Sequence, residues 1–159
     1  MNFEKLKNLS REIDVINAFM NNEEISFDYL FEDALDFNEL TEEYKLNKIC
    51  ELISRVFYTV KLEDTSHIEN MLNKHYNNDK IGKFCVGFIR MQIDGAPDAK
   101  FETKLNFLLS LDVESVPMSQ IKIDYYQATL HMLLYQQPLN LELINYYNNQ
   151  LKDILNNIK

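Results

Sequence analysis

The sequence predicts an all-α protein: about eight helices as four consecutive helical hairpins, in a compact bundle or a short repeat-like stack. Three observations carry this expectation. Apolar residues recur at i, i+3, i+4 and i+7 along nearly all of the 159 residues. Gly and Pro number only 3 each, too few for the many tight turns of an all-β chain of this length. Successive helix pairs begin near Asn2, Thr41, Asp79 and Met118, at intervals of 39, 38 and 39 residues, close to the period of stacked helical hairpins. No residue-by-residue repeat accompanies that spacing. The length suits one domain, so residues 1–159 are read as a single helical domain.

Each element has its own stripe. Leu6, Leu9, Ile13, Ile16 and Met20 mark the first helix. Phe27, Leu30, Phe31, Ala34 and Leu35 mark the second, with Ser26 as its N-cap. Leu46, Ile49, Ile53, Val56 and Phe57 mark the third. Thr41 caps it, and Glu42 and Glu43 lie beside its positive dipole end. Ile68, Leu72 and Tyr76 give a shorter fourth helix. Ile81, Phe84, Cys85, Phe88, Ile89 and Ile93 give the fifth, ended by Asp94-Gly95-Ala96-Pro97. Residues 83–93 also alternate and are rich in β-formers; helical spacing fits them better, with a strand as the alternative. Phe101, Leu105, Leu108 and Leu109 form the sixth stripe. Ile121, Tyr125, Ala128, Met132 and Tyr135 form the seventh, with Leu130, Leu133 and Leu134 on its other side. Pro117 suits the first turn of that helix, and "SQIKIDYY" has room for a short strand before it. Pro138 separates it from the eighth, which carries Leu141, Ile144, Leu151, Leu155 and Ile158.

Composition bounds the function classes. Hydrophobic residues at 46% and charged residues at 26% fit a packed globular chain, not a disordered tail. No run of about 18 apolar residues exists, so no membrane span is expected. The N-terminus lacks the apolar core of a signal peptide. Cys50 and Cys85 lie on apolar faces, as buried free thiols of a reducing compartment would. A cytoplasmic location is the expectation.

The net charge of −9 is unevenly spread. Glu12 to Tyr44 hold eleven acids and no Lys or Arg, which leaves fourteen acids against sixteen bases elsewhere. No basic cluster is visible, so direct nucleic-acid binding is not expected. A basic protein partner fits better, because complementary charge raises encounter rates and selects the partner.

Catalytic and metal motifs are missing from the sequence. His67 and His75 share a helix face two turns apart, too far to ligate one metal together. Asp64 and His67 at i, i+3 read as a helix start with an exposed neighbour. His131 lies in the most apolar helix and reads as a hydrogen-bonded core or interface residue. Gly82, Gly87 and Gly95 do not build a phosphate loop. "DYLFEDALDFNE" lacks the central Gly of a calcium loop. No metal, no cofactor and no catalytic residue are assigned, and a non-enzymatic role is expected.

The acidic stretch carries the functional expectation. On a helix over residues 27–37, Asp28, Glu32 and Asp36 stack at i, i+4 and i+8, flanked by Asp33 and Glu39. Like charges at that spacing destabilise a helix by roughly 0.2–0.5 kcal/mol per pair, so the row is retained against a local cost. Tyr29 and Phe37 border it as aromatic anchors. The partner-binding set is therefore Asp28, Tyr29, Glu32, Asp33, Asp36, Phe37, Glu39, Glu42 and Glu43. Spaced carboxylates can stand in for phosphates, which suggests an inhibitor of a basic, nucleic-acid-handling protein such as a nuclease. Small acidic immunity proteins and phage-type anti-nuclease or anti-CRISPR inhibitors share this profile of size, acidity and missing catalytic motif, without a family signature. The alternatives are a helical-repeat adaptor with a peptide groove lined by Tyr125, Tyr126, Tyr135, Tyr146 and Tyr147, and a homodimer whose acidic face is plain solvent surface.

Overall fold

The computed structural model describes residues 3–32, 40–94 and 100–157. Among these residues seven α-helices follow in order: α1 (Phe3–Asn21), α2 (Glu42–Thr59), α3 (Ser66–Tyr76), α4 (Ile81–Asp94), α5 (Phe101–Ser110), α6 (Gln120–Tyr135) and α7 (Leu141–Asn157). A 3-10 helix, Phe27–Phe31, lies between α1 and α2. There is no strand among the described residues. The all-α class holds, and both segments with strand alternatives are helical.

α2 is the hub, packing against α1, α4 and α6. Its buried stripe matches the expected one: Leu46, Ile49, Ile53 and Val56 are buried, with Cys50 and Leu52 beside them. The main neighbour pairs are α3 with α4, α5 with α6, and α6 with α7. The pairs therefore run one helix out of step with the expected hairpins over the middle of the chain. The reason is local: Asn77, at φ 47°, ends α3 in a left-handed turn that folds α4 straight back along it.

α3 and α4 meet at Gly82. A Cβ there would lie 2.2 Å from the Glu69 carbonyl oxygen, so only glycine lets the two backbones approach this closely. The Gly82 N–H donates to Asn73 Oδ1 at 2.7 Å and satisfies an orphan donor in the first turn of α4. α6 receives a similar cap from afar: the Gln120 N–H donates to Asn47 Oδ1 of α2 at 2.8 Å. Pro117 thus lies before α6 rather than in its first turn, and Ser119 is the N-cap.

Tyr125 ties the second half together. Its ring stands edge-on to Phe84 (5.3 Å) and Phe88 (5.9 Å), and its hydroxyl donates to the Leu108 carbonyl at 2.5 Å. Tyr125 and Tyr126 are buried in the core with Tyr147, whereas Tyr135 and Tyr146 are exposed. The tyrosine-rich end is therefore mainly core. Glu114 accepts a 2.7 Å hydrogen bond from Tyr146 and pushes that phenol up to about 12. His131 is exposed rather than buried.

Two further expectations need correction. α1 buries Val15, Ala18 and Phe19 against its neighbours, while Leu6, Leu9 and Ile13 of the expected core stripe are exposed. The segment after Ser26 forms a 3-10 helix over Phe27–Phe31 where an α-helix is expected, and residues 33–37 of that expected helix lie outside the described residues. With three residues per turn, Glu32 lies about 120° around from Asp28, so the expected row does not form there. Asp33, Asp36, Phe37 and Glu39 lie outside the described residues.

No helix among the described residues is long and apolar enough to cross a membrane.

Gly82→Ala should destabilise the protein by about 1–3 kcal/mol, or roughly 2–10 °C in melting temperature, because backbone must shift. At Gly87 the nearest atom is Phe107 Cζ, 2.9 Å from where a Cβ would stand, and a ring can turn aside. Gly87→Ala should therefore cost less, and thermal unfolding by circular dichroism ranks the two. A Gly82→Ala melting temperature equal to that of the parent would mean the α3–α4 contact is looser than described.

Candidate partner-binding site

The acidic corner is built where α1 ends. Asn22 takes φ 56° and turns the chain, with the Glu23 N–H donating to the Ala18 carbonyl at 3.1 Å. Asn tolerates this left-handed conformation better than most residues. The turn sends Glu23 and Glu24 outward. Ser26 Oγ then accepts from the Asp28 N–H at 3.2 Å, the cap that the sequence indicates, on a 3-10 helix rather than an α-helix.

Apolar residues hold the 3-10 helix down. Phe27 is buried, with its ring 5.9 Å from Phe19 and edge-on to His75 at 5.5 Å. Leu30 is also buried. On α3, His67 Nε2 lies 2.7 Å from the Glu23 carbonyl. A carbonyl can only accept, so Nε2 carries the proton in this bond. Both histidines therefore brace the acidic loop. Asp64 starts α3: its carboxylate accepts from the Ser66 N–H and hydroxyl at 2.9 and 2.6 Å, which holds its carboxyl below the ordinary value.

Tyr29 points back to α1. Its hydroxyl donates to Asp14 Oδ2 at 2.7 Å, and this bond raises the phenol above its ordinary value. Arg11 lies over the same ring, 5.2 Å from its centroid, and donates to the Tyr29 carbonyl at 3.1 Å. Between Tyr29 and the end of α1 lies a cleft of about 510 Å³, lined by Asp14, Asn17, Asn21, Glu23, Glu24 and Tyr29, with Ala18 and Ile25. Among the described residues its lining holds three carboxylates and no cation. A neighbouring hollow of about 490 Å³ shares Glu24 and Ile25 but adds Lys74, His67 and His75 opposite Asp28.

The remaining acids divide by partner. Glu12 is buried at 8% exposure, ion-paired to Lys48 and 3.7 Å from Arg55. Glu42 lies 3.8 Å from Lys45, whose ammonium also sits 5.9 Å from the Phe31 ring. Phe31 meets Tyr44 at 6.3 Å, which joins the first turn of α2 to the 3-10 helix. Glu23, Glu24, Asp28, Glu32 and Glu43 are exposed and make no ion pair among the described residues.

Of the expected set, Tyr29 thus stands beside the cleft. Asp28 lies in the first turn of the same 3-10 helix and Glu32 at its C-cap, neither lining the cleft, and Glu42 and Glu43 begin α2. Asp14, Glu23 and Glu24 were not in the expected set. Their signal was the Asn21-Asn22 pair closing α1, which reverses the chain onto Asp14. Among the described residues no three His, Cys, Asp or Glu side chains converge to hold a metal ion. Comparison with protein-family models, curated proteins and solved structures gave no match.

Asp14→Asn should lower the Tyr29 phenol pKa toward its ordinary value, because the carboxylate that favours the protonated hydroxyl is gone. A pH titration followed by ring-carbon NMR of labelled tyrosine reads this directly. An unchanged Tyr29 value would show that the two side chains do not meet in solution.

Proposed function

We propose that this chain is a non-catalytic binding protein that takes up basic side chains of a protein partner at the acidic corner. One observation carries the reading: the cleft beside Tyr29 gathers Asp14, Glu23 and Glu24 with no cation among the described residues of its lining. An inserted Lys or Arg would meet the carboxylates beside Tyr29; Arg11 already lies over that ring, so charge rather than ring contact does the selecting. The exposed Asp28, Glu32 and Glu43 extend the same field and favour rapid encounter with a basic surface.

The partner class that fits is a basic, nucleic-acid-handling protein, a nuclease above all, which the chain would inhibit by occupying its phosphate-binding residues. The tyrosine-groove adaptor loses its surface, since Tyr125, Tyr126 and Tyr147 are core residues. Self-association is the second reading, favoured by the exposed apolar stripe Phe3, Leu6, Leu9 and Ile13 on α1.

The test is capture of basic nucleic-acid-binding proteins by the tagged chain, beside Asp14→Asn/Glu23→Gln/Glu24→Gln, with assay of any captured nuclease. The triple variant should bind at least about tenfold more weakly, and high salt should release the partner from the native chain. The captured nuclease should lose activity in proportion to bound chain, without turnover. Equal capture by both proteins would move the site off the cleft. Capture of nothing by either, with a dimer in sedimentation, would favour self-association through α1.

A further inference from the structure

We propose a second site, independent of the acidic corner: the groove between α3, α4 and α5 binds a small amphiphilic anion, one acidic head group on a linear apolar body, of the fatty-acid class. The groove is shallow and open to solvent, with a volume of about 470 Å³, enough for a linear tail lying along it with its outer side in water. Its floor is apolar, made by Val86, Met91 and the Phe107 ring. Gly87 makes that floor possible. Phe107 Cζ lies 2.9 Å from where a Cβ would stand, so the ring reaches the α4 backbone only because residue 87 has no side chain.

The charge around the floor reverses that of the whole chain. Among the described residues Lys83, Arg90 and Lys104 line the groove against one carboxylate, Glu69. The chain as a whole has 16 bases and 25 acids. Arg90 and Lys104 hold interactions of their own within the chain, so the exposed Lys83 is the cation a head group meets first. Thr65 and Thr103 add hydroxyl donors to the lining. An apolar floor with a cationic rim fits an anion with a hydrocarbon tail: the tail covers Met91 and Phe107, and the head stays partly hydrated among the lysines. A cationic or neutral amphiphile of the same length gains only the first of these contacts. The groove shares no lining residue with the acidic cleft, so the two sites can be tested separately.

The probe is dodecanoate below its micelle concentration, titrated into the full chain and followed by amide NMR and calorimetry. Dodecyltrimethylammonium and an acidic helical peptide serve as competing occupants. One saturable dodecanoate site is expected, with shifts centred on Gly87, Lys83 and Phe107. Dodecyltrimethylammonium should bind at least about tenfold more weakly, and Lys83→Glu/Lys104→Glu should weaken dodecanoate by a similar factor. If that variant loses helicity, the exposed Lys83→Gln gives the same test, with an expected weakening of about threefold. Equal binding of both amphiphiles, shifts elsewhere, no saturation, or binding of the acidic peptide alone would each overturn the proposal.

Discussion

The acidic corner depends on the seating of α1 on α2, and Glu12 is central to that seating. Its buried carboxylate bonds to Lys48 and lies close to Arg55, both on α2. A carboxylate taken out of water without such partners would be strongly unfavourable. The pairing therefore fixes which way α1 is turned. Val15, Ala18 and Phe19 then face the core, and Asp14 faces the loop that follows the helix. Phe19 meets Phe27, Tyr29 reaches Asp14, and the cleft closes between them. One ion pair thus links the apolar seating of α1 to the placement of the acids.

Much of the helical framework was legible in the sequence, because its signals are local. Thr41 caps α2 by accepting from the Tyr44 N–H, as its position before Glu42 and Glu43 suggests. The buried stripe of α2 follows its periodicity closely. The acidic segment was less legible because its outcome depends on residues far along the chain. Phe27 is held by Phe19 and His75, and Glu23 by His67, none of which periodicity within the segment reveals. A charge count from Glu12 onward also hides Arg11, Lys48 and Arg55, which reach into the acidic region from outside it. The exposed half of α1 shows the converse error: an apolar stripe states what a helix can bury, and the partner helix decides how much of it is covered.

The charge of the molecule is sorted as well as unbalanced. The cations of α2 are used internally: Lys45, Lys48 and Arg55 each lie within ion-pair distance of an acid on α1 or α2. Among the described residues the lining of the cleft by Tyr29 has none, while that of the groove by Phe107 has three. A chain whose acids served only to keep it in solution could scatter them. Here the fold leaves Asp14, Glu23 and Glu24 together around one cleft beside Tyr29.

The most direct test of the acidic corner is an amide NMR titration of the full chain with a short arginine-rich peptide at low and high salt. Saturable shifts are expected at Asp14, Asn17, Glu23, Glu24 and Tyr29, lost as salt screens the contact. Shifts spread over all exposed acids in proportion to their charge, or centred away from the cleft, would contradict a cation site beside Tyr29.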